Sequence, residues 1–337
     1  MQHTEIRLGL PSKGRLESGS LDFLSSCGLQ VHKPNPRQYQ ATIPVVPGLR
    51  VIFQRPGDIV VGVRNGSLDF GITGLDIVLE QMELSDAIVI LHDELGFGRC
   101  TLQIAVPDEW TEVQTLNDLA NYAKMMPNNL RVATKYPSLT REFLIENGLS
   151  DCDLISAEGT LEVAPTIGYA DVIADLVSSG QTLRDNRLRT LDNGNILLSQ
   201  AALIGNSDSL CTRSSVLKVA RHVLELAEAY LRAEKYCAVV ANIREESPEA
   251  VAHKMFSEIN LGGLQGPTIS RVITPGDGAD MCSVEVVVLK DKLVEVIHDL
   301  RSIGGSGVIV TPVSYVFEEE PERYEALLEK LGRKDHD

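Results

Sequence analysis

The chain has 337 residues, 43% hydrophobic and 23% charged, which is enough to bury ordinary cores and long for a single domain, so two or three domains are expected. Its 47 acidic residues against 31 basic ones give a formal charge of −16, which argues against non-specific attraction to nucleic acid or an anionic membrane; anionic ligands would need local basic clusters. The longest apolar runs, such as Val284 to Leu289, are too short for a bilayer, Met1 to Pro11 holds no signal-peptide core, and six cysteines show no Cys-x-x-Cys pair or Cys/His cluster, so no membrane span, secretion, zinc site or disulfide framework is expected.

In chain order, Ile6 to Leu10 reads as a strand, Gly19 to Cys27 as a helix, Val51 to Gln54 as a strand, Pro56 to Asn65 as a helix and Leu68 to Ile72 as a strand. That alternation predicts α/β structure with a mainly parallel sheet. A second set follows: strand Thr101 to Val106, helix Thr115 to Ala123, strand Leu130 to Ala133, helix Leu139 to Asn147 closed by Gly148, strand Cys152 to Ser156, helix Val163 to Tyr169 and strand Asp171 to Val177. Ile196 to Gly205 is again strand-like, and Ser214 to Lys235, 22 positions without Pro or Gly, predicts a helix connecting domains. From Cys237 to Val313 the order is strand, helix, strand, strand, helix, strand, the ferredoxin-like arrangement.

The most informative segment is Asp171-Val-Ile-Ala-Asp175-Leu-Val177 followed by Ser178-Ser179-Gly180-Gln181-Thr182-Leu183. A strand that ends in small residues and opens a helix can seat a phosphate, because the first N–H groups of a helix lack intrahelical partners and the helix dipole adds positive charge there. Asp175, near the strand's carboxyl end, is placed to accept hydrogen bonds from sugar hydroxyls, and strand spacing puts Asp171 on the same face, farther from the crevice. The plainer alternative, a helix cap beside a structural acceptor, stays open on this segment alone. Lys13 and Arg15 flank Gly14 in a turn after the first strand without the spacing of a Walker A loop. Arg55, Lys135 and Tyr136 follow two further strands, and with Arg141 could supply cations and one aromatic face.

With these residues in view the chain resembles the long, self-regulated form of the ATP phosphoribosyltransferase family. The resemblance rests on Gly9-Leu-Pro-Ser-Lys-Gly-Arg-Leu16, Phe70-Gly-Ile-Thr-Gly-Leu-Asp76, Arg131-Val-Ala-Thr-Lys-Tyr-Pro137, Glu158-Gly-Thr-Leu-Glu-Val-Ala-Pro165 and Asp171 to Leu183, and in the tail on Leu264-Gln-Gly-Pro-Thr268 and Gly304-Gly-Ser-Gly-Val-Ile-Val310. Two departures are Gln181, where small residues or Thr are commoner, and an insertion-like stretch from Met125 to Asn129.

The resemblance implies a two-lobed catalytic region like type II periplasmic binding proteins, with residues 1–96 and 190–213 as lobe I and 97–189 as lobe II. A connecting helix at 214–235 and a ferredoxin-like regulatory domain at 236–337 would follow. It implies joining ATP to 5-phosphoribosyl 1-pyrophosphate, the first step of histidine biosynthesis, with Mg²⁺, feedback inhibition by histidine and a homohexamer in the cytoplasm, or in the plastid stroma of a plant. The roles carried over are Asp175, Lys13 and Arg15 as catalytic; Asp171, Asp175, Ser178, Ser179, Gly180, Gln181 and Thr182 for phosphoribosyl pyrophosphate; and Arg15, Arg55, Asp76, Lys135 and Tyr136 for ATP. Leu264, Gly266, Pro267 and Thr268 are carried over for histidine, and Glu162 or Asp171 for Mg²⁺ through water. Competing readings are a solute-binding module on the same two-lobed architecture and an amino-acid-sensing regulator with a degenerate front half.

Overall fold

The computed structural model describes residues 5–35, 37–82, 86–157, 159–273 and 280–333; Glu158 of the fourth signature lies outside them. The chain divides into two units, residues 1–224 with 322–337, and residues 225–321.

The first unit opens with β1 (Ile6–Pro11), α1 (Gly14–Ser26), β2 (Gln40–Thr42), β3 (Leu49–Gln54), α2 (Pro56–Arg64), β4 (Phe70–Gly74), α3 (Leu75–Met82) and β5 (Ile88–His92). The chain then crosses to β6 (Cys100–Pro107), α4 (Leu116–Met125), β7 (Arg131–Thr134), α5 (Pro137–Glu146), β8 (Asp153–Ser156), β9 (Val172–Val177), α6 (Gln181–Asp185) and β10 (Leu188–Ser199). It returns through β11 (Ala201–Asn206), α7 (Ser207–Thr212) and α8 (Ser214–Ala233).

Two sheets result, ordered β2-β3-β1-β4-β11-β5 and β10-β6-β9-β7-β8. They repeat one plan: the strand arriving from the other lobe, β11 in one sheet and β6 in the other, lies antiparallel beside the third parallel strand of its host. β4 and β11 are buried at every position, as expected for central strands covered on both faces, whereas β3 alternates buried and half-buried residues. This is the expected two-lobed α/β architecture.

The repeat extends to a carboxylate clamp at the amino edge of each sheet. Asp69, just before β4, accepts the backbone N–H of Arg7 at 2.9 Å and pairs with Arg213 at 2.6 Å; Asp171, just before β9, accepts the backbone N–H of Arg131 at 2.8 Å and pairs with its guanidinium at 2.8 Å. Asp69 is fully buried, so removing one partner leaves an uncompensated charge in low dielectric. Asp69→Ala is expected to cost about 3 kcal/mol, seen in calorimetry as a melting temperature lower by roughly 6–12 °C.

Three expectations are corrected. Lobe II extends through Ser199, because β10 pairs with β6, and only Ala201–Asn206 rejoins lobe I; the apolar run from Ile196 to Gly205 conceals a crossing at Gln200. No helix spans Val163 to Tyr169: a single 3₁₀ turn at Leu161–Val163 gives way to turns, since Pro165 cannot donate and Gly168 takes φ +71°. Finally, the tail returns to the first unit, as described below.

In the second unit β12 (Tyr236–Ile243), α9 (Pro248–Ser257), β13 (Thr268–Arg271), β14 (Cys282–Leu289), α10 (Leu293–Ser302) and β15 (Gly305–Pro312) form an antiparallel sheet ordered β13-β14-β12-β15. This is the ferredoxin-like arrangement read from the sequence. β12 and β14 alternate strictly, and their inward residues pack with Val251 and Met255 of α9 and Val296 and Leu300 of α10. The last helix, α11 (Glu322–Lys330), was expected within residues 236–337, but it belongs to the first unit, where it buries Tyr324, Leu327 and Leu328 and pairs Arg323 with Asp93 at 2.7 Å. Among the described residues no helix is long and apolar enough to cross a membrane.

Candidate active site

In lobe I, β1 and β3 run parallel in register, with Pro11 beside Gln54, so Lys13 and Arg15, at the start of α1, emerge next to Arg55; the Ser12 N–H donates to the Gln54 carbonyl at 2.9 Å. β4, parallel to β1, carries Asp76 to the same edge. In lobe II, β7, β8 and β9 are parallel, which puts Lys135, residues 159–162 and Asp175 with its following loop on one edge. Both crossings meet these edges, because Cys100 pairs with Ser199 and Ala201 with Gly74. They are also bonded to each other through Ala201 N–H to Phe97 and Leu95 N–H to Ala201. A cleft between the two carboxyl edges is therefore dictated by the topology.

On the lobe II side, Asp175 makes one short hydrogen bond, accepting the N–H of its neighbour Leu176 at 2.7 Å. Burial pushes its carboxyl up to about 6, the Leu176 N–H opposes this, nearby Glu162 pushes it further and Lys135 pulls it down. Ser178, Ser179, Gln181 and Thr182 are exposed, and the residue preceding α6 is Gly180 at φ +68°, which has no side chain to cap the helix. The first N–H groups of α6 thus lack a side-chain cap at that position, apart from a long 3.4 Å contact from the Gln181 N–H to Ser179 Oγ. The side chain of Gln181 is turned along the helix to Asp185 at 2.6 Å, and its Oε1 accepts from Arg184, whose guanidinium also donates to the Ser179 carbonyl at 3.1 Å.

Lys13, Arg15 and Arg55 are exposed at the lobe I edge. Asp76 and Tyr136, expected at the nucleotide, meet each other: the Tyr136 hydroxyl donates to Asp76 Oδ2 at 2.7 Å and Ser199 Oγ donates to Oδ1 at 2.6 Å, with Asp76, Tyr136 and Ser199 all buried. Gly74 makes this possible, since a Cβ there would lie 2.5 Å from Asp76 Oδ1. Burial, reinforced by the Asp76 charge, pushes the phenol well up, so Tyr136 remains a donor. The same burial raises neighbouring Cys100 to about 11, leaving no thiolate nucleophile there. Sequence reasoning missed Ser199 and Glu80, whose carboxylate accepts the Ser138 and Leu139 N–H groups; no motif marks either residue.

Asp171 is not brought to the cleft. It lies at the opposite end of β9, with both carboxylate oxygens engaged by Arg131, which removes it from the phosphoribosyl pyrophosphate and Mg²⁺ sets. Asp175 and Glu162 remain as oxygen donors, and no cluster of three or more His, Cys, Asp or Glu side chains suited to a metal occurs among the described residues. That donor set fits Mg²⁺ carried largely by substrate oxygens and water. In the second unit, the Leu264 N–H donates to Val287 at 2.9 Å, Gly266 takes φ +97°, and Pro267 leads into Thr268 at the start of edge strand β13.

Residues 55–229 match the family described as ATP phosphoribosyltransferase, and residues 233–315 match its C-terminal domain. The chain belongs to the ATP phosphoribosyltransferase family. The chloroplastic ATP phosphoribosyltransferase 2 of Arabidopsis thaliana is 43% identical over 97% of this chain and 81% of its own length, and the Nitrobacter winogradskyi enzyme is 32% identical over 96% and 98%. The ATP phosphoribosyl transferase (HisG:HisZ) complex from Thermotoga maritima, 24% identical, superposes with a TM-score of 0.51 over 66% of this chain and 98% of that one, a likeness of fold. As an ATP phosphoribosyltransferase of the long form, the chain is a glycosyl-transferring enzyme of the first step of histidine biosynthesis.

Proposed function

We propose that the cleft condenses ATP with 5-phosphoribosyl 1-pyrophosphate, forming a bond from adenine N1 to ribose C1 while the C1–oxygen bond breaks and pyrophosphate leaves. The observation that carries this is the half-buried Asp175 carboxylate beside Lys135 and an uncapped loop, across from the edge bearing Lys13, Arg15 and Arg55. Asp175 accepts hydrogen bonds from the ribose hydroxyls, and the backbone N–H groups around Ser178, Ser179, Gly180, Gln181 and Thr182 take the 5-phosphate. Lys13, Arg15, Arg55 and Lys135 hold pyrophosphate and triphosphate oxygens. No covalent nucleophile is needed, because positive character grows on the sugar and negative charge on the leaving group, so positioning and fixed charge lower the barrier. Mg²⁺, when bound, neutralises charge on the pyrophosphate oxygens.

The ferredoxin-like unit suits a regulatory role, with histidine bound around Leu264, Gly266, Pro267 and Thr268, and the enzyme working as a homohexamer. All six cysteines are unpaired, which suits a reducing compartment, the cytoplasm or, in a plant, the plastid stroma.

The test follows the absorbance of the phosphoribosyl-ATP product with ATP, phosphoribosyl pyrophosphate, Mg²⁺ and pyrophosphatase. Product is expected, with less in the presence of histidine. Substituting Thr268 by Tyr should lower histidine sensitivity at unchanged basal rate; folded protein that makes no product would defeat the catalytic reading.

A further inference from the structure

We infer that Asp76 and Glu80 of α3 are positioning residues: together they latch the β7–α5 junction of lobe II onto lobe I, and so hold Lys135 in the cleft. They lie four residues apart, on one face of α3. Asp76 receives the Tyr136 hydroxyl at 2.7 Å and the Ser199 hydroxyl at 2.6 Å, and its own N–H donates to Ser199 Oγ at 3.0 Å. Glu80 receives the Ser138 N–H at 2.9 Å and the Leu139 N–H at 3.1 Å, one on each carboxylate oxygen.

The second contact explains how α5 begins. Its N-cap position is Tyr136, whose side chain makes no capping bond, and Pro137 has no N–H to satisfy. The first free donors of α5 therefore need an acceptor from elsewhere, and a carboxylate at a helix N-terminus is the best placed of the common ones. Glu80 supplies it across the cleft. Lys135 is thus held on a segment fixed at Tyr136, Ser138 and Leu139 by lobe I, and at Tyr136 by its own lobe, where the Tyr136 N–H donates to Thr134 Oγ1 at 3.0 Å. Both Asp76 oxygens already have donors, so its carboxylate acts on substrate through the position of lobe II.

The activity arm of the test rests on the reaction proposed above; the exchange arm does not. Hydrogen exchange of the full chain should show protected amides at Ser138 and Leu139, and Glu80→Ala should speed their exchange at least roughly tenfold, because no intrahelical partner protects them. If the latch sets the fraction of molecules with a closed cleft, the apparent affinity for both substrates falls by that same fraction. Glu80→Ala and Tyr136→Phe should therefore raise the KM values for ATP and phosphoribosyl pyrophosphate together, roughly tenfold, with kcat largely recovered at saturation, and Glu80→Gln should fall between. Tyr136→Phe removes a single hydroxyl and serves if Glu80→Ala does not fold. A rise in the KM for ATP alone would mean that Asp76 and Tyr136 read the nucleotide directly, and unchanged exchange at Ser138 and Leu139 would remove the latch; either result overturns the inference.

Discussion

Asp175→Asn should lower kcat/KM by about two to three orders of magnitude and at the same time make the protein more stable at neutral pH. The two effects have one cause. Asp175 is a half-buried carboxylate with a single short N–H donor, so folding takes it partly out of water with only partial compensation, and its carboxyl rises to about 6. Between about pH 4, where a free Asp titrates, and pH 6, where the folded one does, the native state binds more protons than the unfolded chain. Stability contributed by this group is therefore fully present at low pH and is lost as pH rises to about 6, leaving a cost on the order of 2–3 kcal/mol at neutrality. Asparagine keeps an oxygen for the Leu176 N–H and removes the charge, so calorimetry between pH 5 and 8 should show a variant whose melting temperature exceeds the native one above pH 6. Activity moves the other way, because the ionised form is the stronger acceptor for ribose hydroxyls. The native kcat/KM should climb with pH around 6, and that limb should be missing in the variant. A variant with native rate and native stability would leave Asp175 as an ordinary strand acceptor.

That carboxylate stands out in the sequence as a polar residue in an otherwise apolar strand, three positions before a small-residue loop, while the segment alone leaves a structural acceptor equally open. Asp171 shows the limit of the same reasoning. Residues four apart on a strand share a face but are separated by roughly 13 Å along it, so one lies at the carboxyl edge and the other at the amino edge, where Arg131 takes both its oxygens. The lobe plan resolves the ambiguity, since Asp69 occupies the matching position before β4 and is likewise a clamp. Asp76 and Tyr136 are expected at the nucleotide from the resemblance, but the bond between them joins positions 60 apart in the chain, and no local pattern encodes it. Glu80 has no sequence signal: it reads as one more polar residue on a helix until α5 is seen to lack its own cap. The crossing at Gln200 was hidden because strands on either side of it are both apolar, and the return of α11 to the first unit because Glu318 to Glu320 reads only as a solvated helix entry.

Replacing Arg15 or Arg55 by Ala should reduce kcat/KM by about 10²–10³-fold each, against less than about twofold for Lys124→Ala, an exposed cation on α4 outside the cleft. The chain carries a formal charge of −16, so two polyanionic substrates approach against the field of the whole molecule. Register confines the opposing charge at this end of lobe I: the start of α1 with Lys13 and Arg15 and the β3 end with Arg55 leave the sheet side by side. A guanidinium offers paired donors that match two phosphate oxygens, so Arg15→Lys should recover only part of the loss. The interaction strengthens as charge builds on the departing pyrophosphate, and the loss should therefore fall on kcat as well as KM. Added salt screens exposed charges beyond about 8–10 Å, so the native KM for both substrates should rise between low and physiological ionic strength, and the slope should flatten in the Arg15 and Arg55 variants. If Arg15→Ala and Lys124→Ala instead proved equivalent in rate and salt dependence, the lobe I edge would be solvated surface, and the anionic groups of both substrates would have to be held by lobe II alone.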